Sequence, residues 1–92
     1  MPALEASSME GRGADALFIL GLKYCLGREV PKDLIAAHKW FNLAAMSGND
    51  AARHYRLEVA REMALSDIAE AQRRARDWLR ASSTAERLIF GS

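Results

Sequence analysis

The feature that most constrains this chain is residues 16–48, where small and aromatic residues recur at helical spacing. In the first half Ala16, Leu20 and Tyr24 stand four residues apart, so they share one stripe of a helix. Gly21 adjoins this stripe. Because a glycine inside a helix costs about 1 kcal/mol relative to alanine, we expect Gly21 to admit a second helix at close range.

The second half of this run carries a matching stripe in which large and small side chains alternate. Its members are Ala37, Trp40, Phe41, Ala44 and Ala45. Such alternation lets two helices interdigitate at the packing density of a protein interior. The two stripes together predict a helical hairpin.

The segments that end the two stripes are rich in turn and cap residues. Gly27 supplies a helix stop, a proline follows outside the helix interior, and Asp33 can cap the second helix. Gly48 ends that helix, and Asn49 or Asp50 can cap a third. The predicted order is therefore helix, short turn, helix, stop.

In type and spacing these residues closely resemble a Sel1-like repeat, a relative of the tetratricopeptide repeat. The positions that agree are Ala16, Leu20, Gly21, Tyr24, Gly27, Val30, Asp33, Ala37, Trp40, Phe41, Ala44, Ala45 and Gly48. Glu29 departs from the pattern, because the family usually has a second glycine before the valine. The resemblance implies a helical repeat that assembles other proteins, of a kind common in bacteria, and it leaves the path of the 27–30 loop open.

After Gly48 the helical pattern continues in weaker form. Apolar residues recur in two further stretches, which are Ala52, Tyr55, Val59 and Met63, and then Ile68, Ala71, Ala75, Trp78 and Leu79. Ser66 is a natural N-cap for the second stretch. The predicted fold class is therefore all-α, an α/α solenoid fragment of two antiparallel helical hairpins.

The domain boundaries follow from where the helical period is sustained. Residues 1–13 and 82–92 lack such a period, so we predict a mobile N-terminal arm and a C-terminal tail. Between them we predict a Sel1-like repeat domain, residues 14–81. It consists of a hairpin at 14–48 and a degenerate closing hairpin at 49–81.

The first predicted helix is apolar almost all the way round, since in residues 16–26 the only charged side chain is Lys23. Two hairpins are few for a repeat fold, because about three units are normally needed for independent stability. Ile19, Leu22 and Leu26 form a row that we predict to point away from the hairpin partner. Left in water, such a row marks an interface; the alternative is that the arm or the tail covers it.

The tail ends in an apolar triplet, Leu88 to Phe90. One interpretation is that it folds back over the open end of the last hairpin, and the other is that it docks on another chain. The residues assigned to partner binding are Phe18, Ile19, Leu22, Lys23, Leu26, Leu88, Ile89 and Phe90.

No pattern in the chain predicts catalysis. His38 and His54 each lack a second ligand residue at the spacing of a zinc site. Cys25 stands late in its helix, where the helix dipole disfavours a thiolate, so we expect it to pack. We therefore predict no enzyme activity, no catalytic residue, no cofactor and no metal.

The charge pattern argues against nucleic-acid binding. The net charge is only +1, which gives no global attraction to phosphates. Arginines cluster in the last predicted helix, but Glu70 stands four residues before Arg74, and Arg73 four before Asp77. These spacings predict ion pairs along a solvated face.

The predicted function is a protein–protein interaction module, a small adaptor or scaffold that acts through an apolar helical surface. Its partner is another protein or a second copy of the chain. The alternative is a structural accessory subunit of a larger enzyme or complex, and the second alternative is a helical nucleic-acid-binding protein. We predict a cytoplasmic location, since the chain has neither a signal-peptide pattern nor a transmembrane segment.

Overall fold

The computed structural model describes the backbone of residues 2–90 and the side chains of residues 13–82. Within these limits the chain forms four α-helices, and they are α1 (Pro2–Leu26), α2 (Leu34–Met46), α3 (Asp50–Ala60) and α4 (Leu65–Phe90). The described residues contain no strand, which confirms the predicted all-helical class. The central helix is α2, because α1, α3 and α4 all pack against it.

The core is built around Phe41, whose side chain is 0% exposed. On α2 it lies between Ala37 and Ala44, both buried, and these small residues leave room for rings from other helices. Its ring centroid is 5.8 Å from that of Phe18 on α1 and 5.6 Å from that of Tyr55 on α3. Three aromatic rings therefore join the first three helices.

Helix α1 is in close contact with α2 at Gly21. A Cβ atom placed on Gly21 would lie 2.5 Å from two ring carbons of Phe41, a separation that van der Waals repulsion does not allow. The predicted role of Gly21 is thus confirmed. The predicted stripe is wrong at Ala16, which is exposed, whereas Ala14 is buried. Because Ala14 and Gly21 are seven residues apart, they lie on the same face of α1.

Two of the predicted caps are confirmed. The Asp33 carboxylate accepts a hydrogen bond from the backbone N–H of Ala36 at 3.1 Å, and the Asn49 side chain accepts one from Ala52 at 2.9 Å. Asn49 is therefore the cap of α3, and Asp50 is its first helical residue. Each cap supplies a partner for an amide at the start of a helix, where no helical partner exists.

The prediction that Ser66 caps α4 is wrong, because α4 begins one residue earlier, at Leu65. The carbonyl of Ala64 already accepts hydrogen bonds from the amides of Asp67 and Ile68, at 3.0 and 3.1 Å. These bonds start the helix from the backbone alone. Ser66 is then an exposed residue of the first turn.

The backbone of the loop between α1 and α2 is left-handed at two residues, and one of them, Glu29, is not a glycine. Gly27 has φ 69° and Glu29 has φ 68°. For a residue with a Cβ this conformation costs roughly 1–2 kcal/mol. The ion pair from Lys23 Nζ to Glu29 Oε2, at 3.5 Å, is exposed and offsets little of that cost.

We expect Glu29→Gly to stabilise the protein by about 1 kcal/mol, because glycine adopts positive φ without steric cost. Urea unfolding followed by circular dichroism measures the change. The control is Arg28→Gly in the same exposed loop, where φ is not positive and the extra freedom of the unfolded chain lowers stability. Equal losses in both variants would contradict the assignment of strain to Glu29.

The last helix packs against α2. Ala71 and Ala75 of α4 are buried, and the Trp78 ring meets the Trp40 ring edge to face, with centroids 5.9 Å apart. The predicted closing hairpin of residues 49–81 is not confirmed, because the main contacts of α4 are with α2 and not with α3. A groove separates α3 from α4 instead.

The two ends of the chain were predicted to be an arm, residues 1–13, and a tail, residues 82–92. Their side chains lie almost entirely outside the described residues, as does the apolar triplet Leu88, Ile89 and Phe90. The assignments of these segments therefore stay predictions. Among the described residues no helix is both long enough and apolar enough to cross a bilayer.

Candidate functional site

An open groove of about 230 Å³ runs along the C-terminal end of α1. We call it the apolar groove, and it is lined by Ile19, Leu22, Lys23, Leu26, Arg28 and Glu29. Four of the residues predicted from sequence to bind a partner are brought together here. The Gly27 turn forms its end, because it folds the chain back beside the last turn of α1.

Exposure differs along the predicted apolar row. Ile19 is 51% exposed and Leu26 is 58% exposed, so both present aliphatic surface to water. Leu22 and Phe18 are half-buried and pack against the core, so the prediction that Leu22 points away from α2 is wrong. The reason is that both residues are near Gly21 in the sequence, where α1 contacts the Phe41 ring of α2.

The rim of the apolar groove carries three charged side chains. Lys23 and Glu29 form the exposed ion pair described above. Arg28 is exposed beside them, so the rim has one positive charge beyond the neutral pair. A partner surface that combines aliphatic and acidic side chains matches this arrangement.

A second groove, of about 360 Å³, lies between α3 and α4 with α2 as its floor. We call it the arginine groove, and it is lined by His38, Asn42, Arg56, Leu57, Ala60, Ile68 and Gln72. The walls are mainly apolar and the floor is polar. A cleft of this volume with a few converging polar groups has the character of a small-molecule site.

Arg56 is the only charged residue that lines the arginine groove. One of its guanidinium N–H groups donates a hydrogen bond of 2.7 Å to the side-chain oxygen of Asn42, which fixes the orientation of both groups. No carboxylate among the described residues lies within ion-pair distance of Arg56. The groove therefore has an uncompensated positive charge.

His38 is the buried polar residue of the core, 4% exposed, and its Nδ1 atom has no hydrogen-bond partner in the described structure. Burial lowers the pKa of His38 below its usual range, and the positive charge of Arg56 lowers it further. The imidazole is therefore neutral at neutral pH. A buried polar atom without a partner is uncommon in folded proteins, and it draws attention to this groove.

We expect His38→Leu to stabilise the protein by about 1 kcal/mol at pH 7.5, because it removes an unpartnered buried nitrogen. The gain should increase as the pH falls to 5.5. His38 resists protonation when folded, so the unfolded chain binds more protons below about pH 6.5 and wild-type stability falls there. Urea unfolding at both pH values measures the difference in stability between the variant and the wild type. A smaller difference at pH 5.5 than at pH 7.5 would contradict the lowered pKa of His38.

The outer face of α4 carries the ion pairs predicted from sequence. Arg74 lies 2.8 Å from Glu70, and Arg73 lies 3.1 Å from Asp77. Glu70 also pairs with Arg73 at 2.6 Å. Hydrogen bonds from Arg73 and then Arg74 lower the pKa of Glu70, and the bond to Glu70 raises the pKa of Arg73. Acidic side chains thus compensate these arginines along the helix.

Cys25 packs against the core from α1. Burial raises the pKa of its thiol above the usual value, and Glu62 adds to this while Lys32 opposes it. The thiol form therefore prevails at neutral pH, where it is a weak nucleophile. Among the described residues, no three histidine, cysteine or acidic side chains are grouped as a metal site requires.

The sequence singled out four of the residues that line the apolar groove, whereas it did not indicate the arginine groove. The available signal was the spacing of His38 and Asn42, which are four residues apart on α2 and so share one face. The sequence pattern did not show that α3 and α4 are separated. This separation exposes the face of α2 that carries His38 and Asn42. The position of Arg56 on a different helix follows only from the packing.

Comparisons of this chain with protein-family models, with curated proteins and with solved structures gave no match.

Proposed function

We propose that this chain is a protein-interaction module, a small adaptor that binds a partner protein in the apolar groove. The observation that supports this most is the exposure of Ile19 and Leu26 in the same groove. Each side chain is about half exposed, so covering the rest of it contributes roughly 1 kcal/mol. The excess charge of Arg28 favours a partner segment that has an acidic residue next to aliphatic ones.

The rigidity of the scaffold supports this proposal. The apolar groove adjoins the tight contact between Gly21 and Phe41, and its end is fixed by a turn whose amide, at Asp33, donates to the carbonyl of Tyr24 at 3.0 Å. A surface that is ordered before binding loses little conformational entropy on association. The groove is thus suited to recognition by shape.

The resemblance to Sel1-like repeats supports the same class of function. Gly21 and Phe41, which carry part of the resemblance, form a close contact between α1 and α2, and Gly27 and Gly48 both have positive φ. The signature residues therefore have clear structural uses in this chain. We propose membership of that family, a bacterial origin and a cytoplasmic location on the residues of this chain alone.

The rival proposal is a structural accessory subunit in which the apolar groove is permanently covered by a larger complex. The two differ in how the isolated chain behaves, since a permanently covered surface promotes self-association when its partner is removed. Nucleic-acid binding is less well supported, because Arg73 and Arg74 are paired with acidic side chains.

Sedimentation velocity of the purified chain distinguishes these proposals, with Leu26→Glu as the test variant. The control is Leu65→Glu, which places the same charge on a side chain that is 85% exposed at the start of α4. For an adaptor we expect monomers in all three proteins with unchanged unfolding midpoints.

Two other results would contradict the adaptor. Aggregation of the wild type that only Leu26→Glu relieves would favour the accessory subunit. A dimer that only Leu26→Glu dissociates would make a second copy the partner.

A further inference from the structure

The arginine groove is separate from the surface proposed above, and its chemistry is different. Its walls are formed by Leu57 and Ala60 of α3 and by Ile68 of α4, while Arg56 provides its only charge. We propose that it binds a small aliphatic carboxylate, with the carboxylate on Arg56 and the alkyl chain between α3 and α4. This site is independent of any protein partner at the apolar groove.

The charge of the groove selects a monoanion. Arg56 provides one positive charge, and no described carboxylate neutralises it within ion-pair distance. His38 adds no second charge, because burial and Arg56 both keep its imidazole neutral. A dianionic phosphate would leave one negative charge uncompensated between apolar walls, and that is costly. A carboxylate has a single negative charge, which neutralises the positive charge of Arg56.

The hydrogen-bonding groups favour an oxygen anion. Asn42 uses its oxygen to accept from Arg56, so its amide N–H groups stay available as donors. The guanidinium keeps further N–H groups in the planar array that matches a carboxylate. Because the bond to Asn42 orients the guanidinium beforehand, less side-chain entropy is lost when a ligand binds.

The buried imidazole provides a second, independent observation. His38 lines the same groove, is more than nine-tenths buried, and has a nitrogen without a partner. The lining of the cleft that Arg56 charges thus includes a buried side chain with one unpartnered nitrogen. Such groups are uncommon in folded proteins, and a bound water or ion at the site is one of the reasons for them.

The test is a titration of the ¹⁵N-labelled full chain, followed by ¹H–¹⁵N correlation spectra at pH 7.5, with three probes of the same length. The probes are hexanoate, 1-hexanol and hexylammonium. We expect hexanoate to shift the amide signals around Asn42 and Arg56, with an affinity about tenfold above that of hexanol, the ratio for one charge-assisted hydrogen bond. Hexylammonium should bind more weakly still.

Two variants and a matched control assign the effect. Arg56→Gln should lower the hexanoate affinity about tenfold, whereas Arg53→Gln, the same change on an exposed residue of α3, should leave it unchanged. Gln72→Glu places a negative charge at the exposed edge of the groove and should also weaken hexanoate. If Arg56→Gln does not fold, Gln72→Glu still tests the proposal.

Three results would overturn the proposal. The first is equal affinity for all three probes, and the second is equal weakening by Arg53→Gln and Arg56→Gln. The third is the absence of shifts at the arginine groove at the highest soluble hexanoate concentration.

Discussion

Replacing Gly21 with alanine is expected to destabilise the protein by about 1–2 kcal/mol, although alanine is the better helix former. The new methyl group would lie 2.5 Å from the Phe41 ring, and overpacking of this kind costs more than the ~1 kcal/mol that helix propensity returns. Either the ring leaves its position or α1 moves away from α2. Urea unfolding at pH 7.5 measures the loss.

A matched control lies in the same helix. Among the described residues, no atom outside the adjoining backbone of α1 lies within 4 Å of the position that a Cβ on Gly13 would take, so Gly13→Ala should stabilise the protein by up to about 1 kcal/mol. In a Phe41→Leu background, which removes the ring, Gly21→Ala should cost less than in wild type. Additive losses in that double variant would contradict the direct clash.

Replacing Phe41 with alanine is expected to have the largest effect of any single change, a loss of about 3–5 kcal/mol. Phe41 is fully buried and touches rings on α1 and α3, so its removal leaves a cavity between three helices. A loss of this size is a large fraction of the 5–15 kcal/mol typical of a small domain.

The control for Phe41→Ala truncates a neighbouring ring that is less buried. Tyr55 is 40% exposed and contacts the same cluster from α3, so Tyr55→Ala should cost clearly less. Equal losses of stability in the two variants would contradict the expectation that the buried Phe41 ring stabilises the core more than the Tyr55 ring does. Circular dichroism melts of both variants, measured with the same protein concentration and buffer, provide the comparison.

The local elements of the fold were predictable because they depend on neighbouring residues. Asp33 and Asn49 cap helices through bonds to amides three residues ahead, and such bonds are visible in the spacing alone. Gly21 was recognisable as a contact point because nothing else explains a glycine in so apolar a helix. Ser66 misled because a serine near a helix start is a strong signal even where the backbone begins the helix without it.

The packing of α4 was less predictable, because it depends on the whole assembly. The sequence of α4 has an apolar stripe that fits either α3 or α2, and Trp78 finds Trp40 on α2. The exposed apolar row was predicted correctly at Ile19 and Leu26 but not at Leu22. Three residues turn a helix by about 300°, so Leu22 lies about 60° round α1 from Ile19, on the side of Phe18 and Gly21. An angular difference of this size decides whether a side chain packs on the core or faces water.

The two grooves are chemically distinct surfaces that are formed by different parts of the chain. The apolar groove belongs to α1 and the turn after it, whereas the arginine groove is formed by α2, α3 and α4. Because they share no lining residue, each can be altered without the other. Leu26→Glu and Arg56→Gln therefore test separate claims, and the failure of one leaves the other standing.

Binding of a partner protein in the apolar groove can be tested by quantitative capture from native cells. The baits are the N-terminally tagged wild type, Leu26→Glu, Leu65→Glu and a chain that lacks residues 85–92. We predict one protein that wild type, Leu65→Glu and the truncated chain retain equally and that Leu26→Glu loses at least about fivefold, as covering the exposed half of one leucine implies. Equal retention of the same proteins by all four baits would contradict the claim.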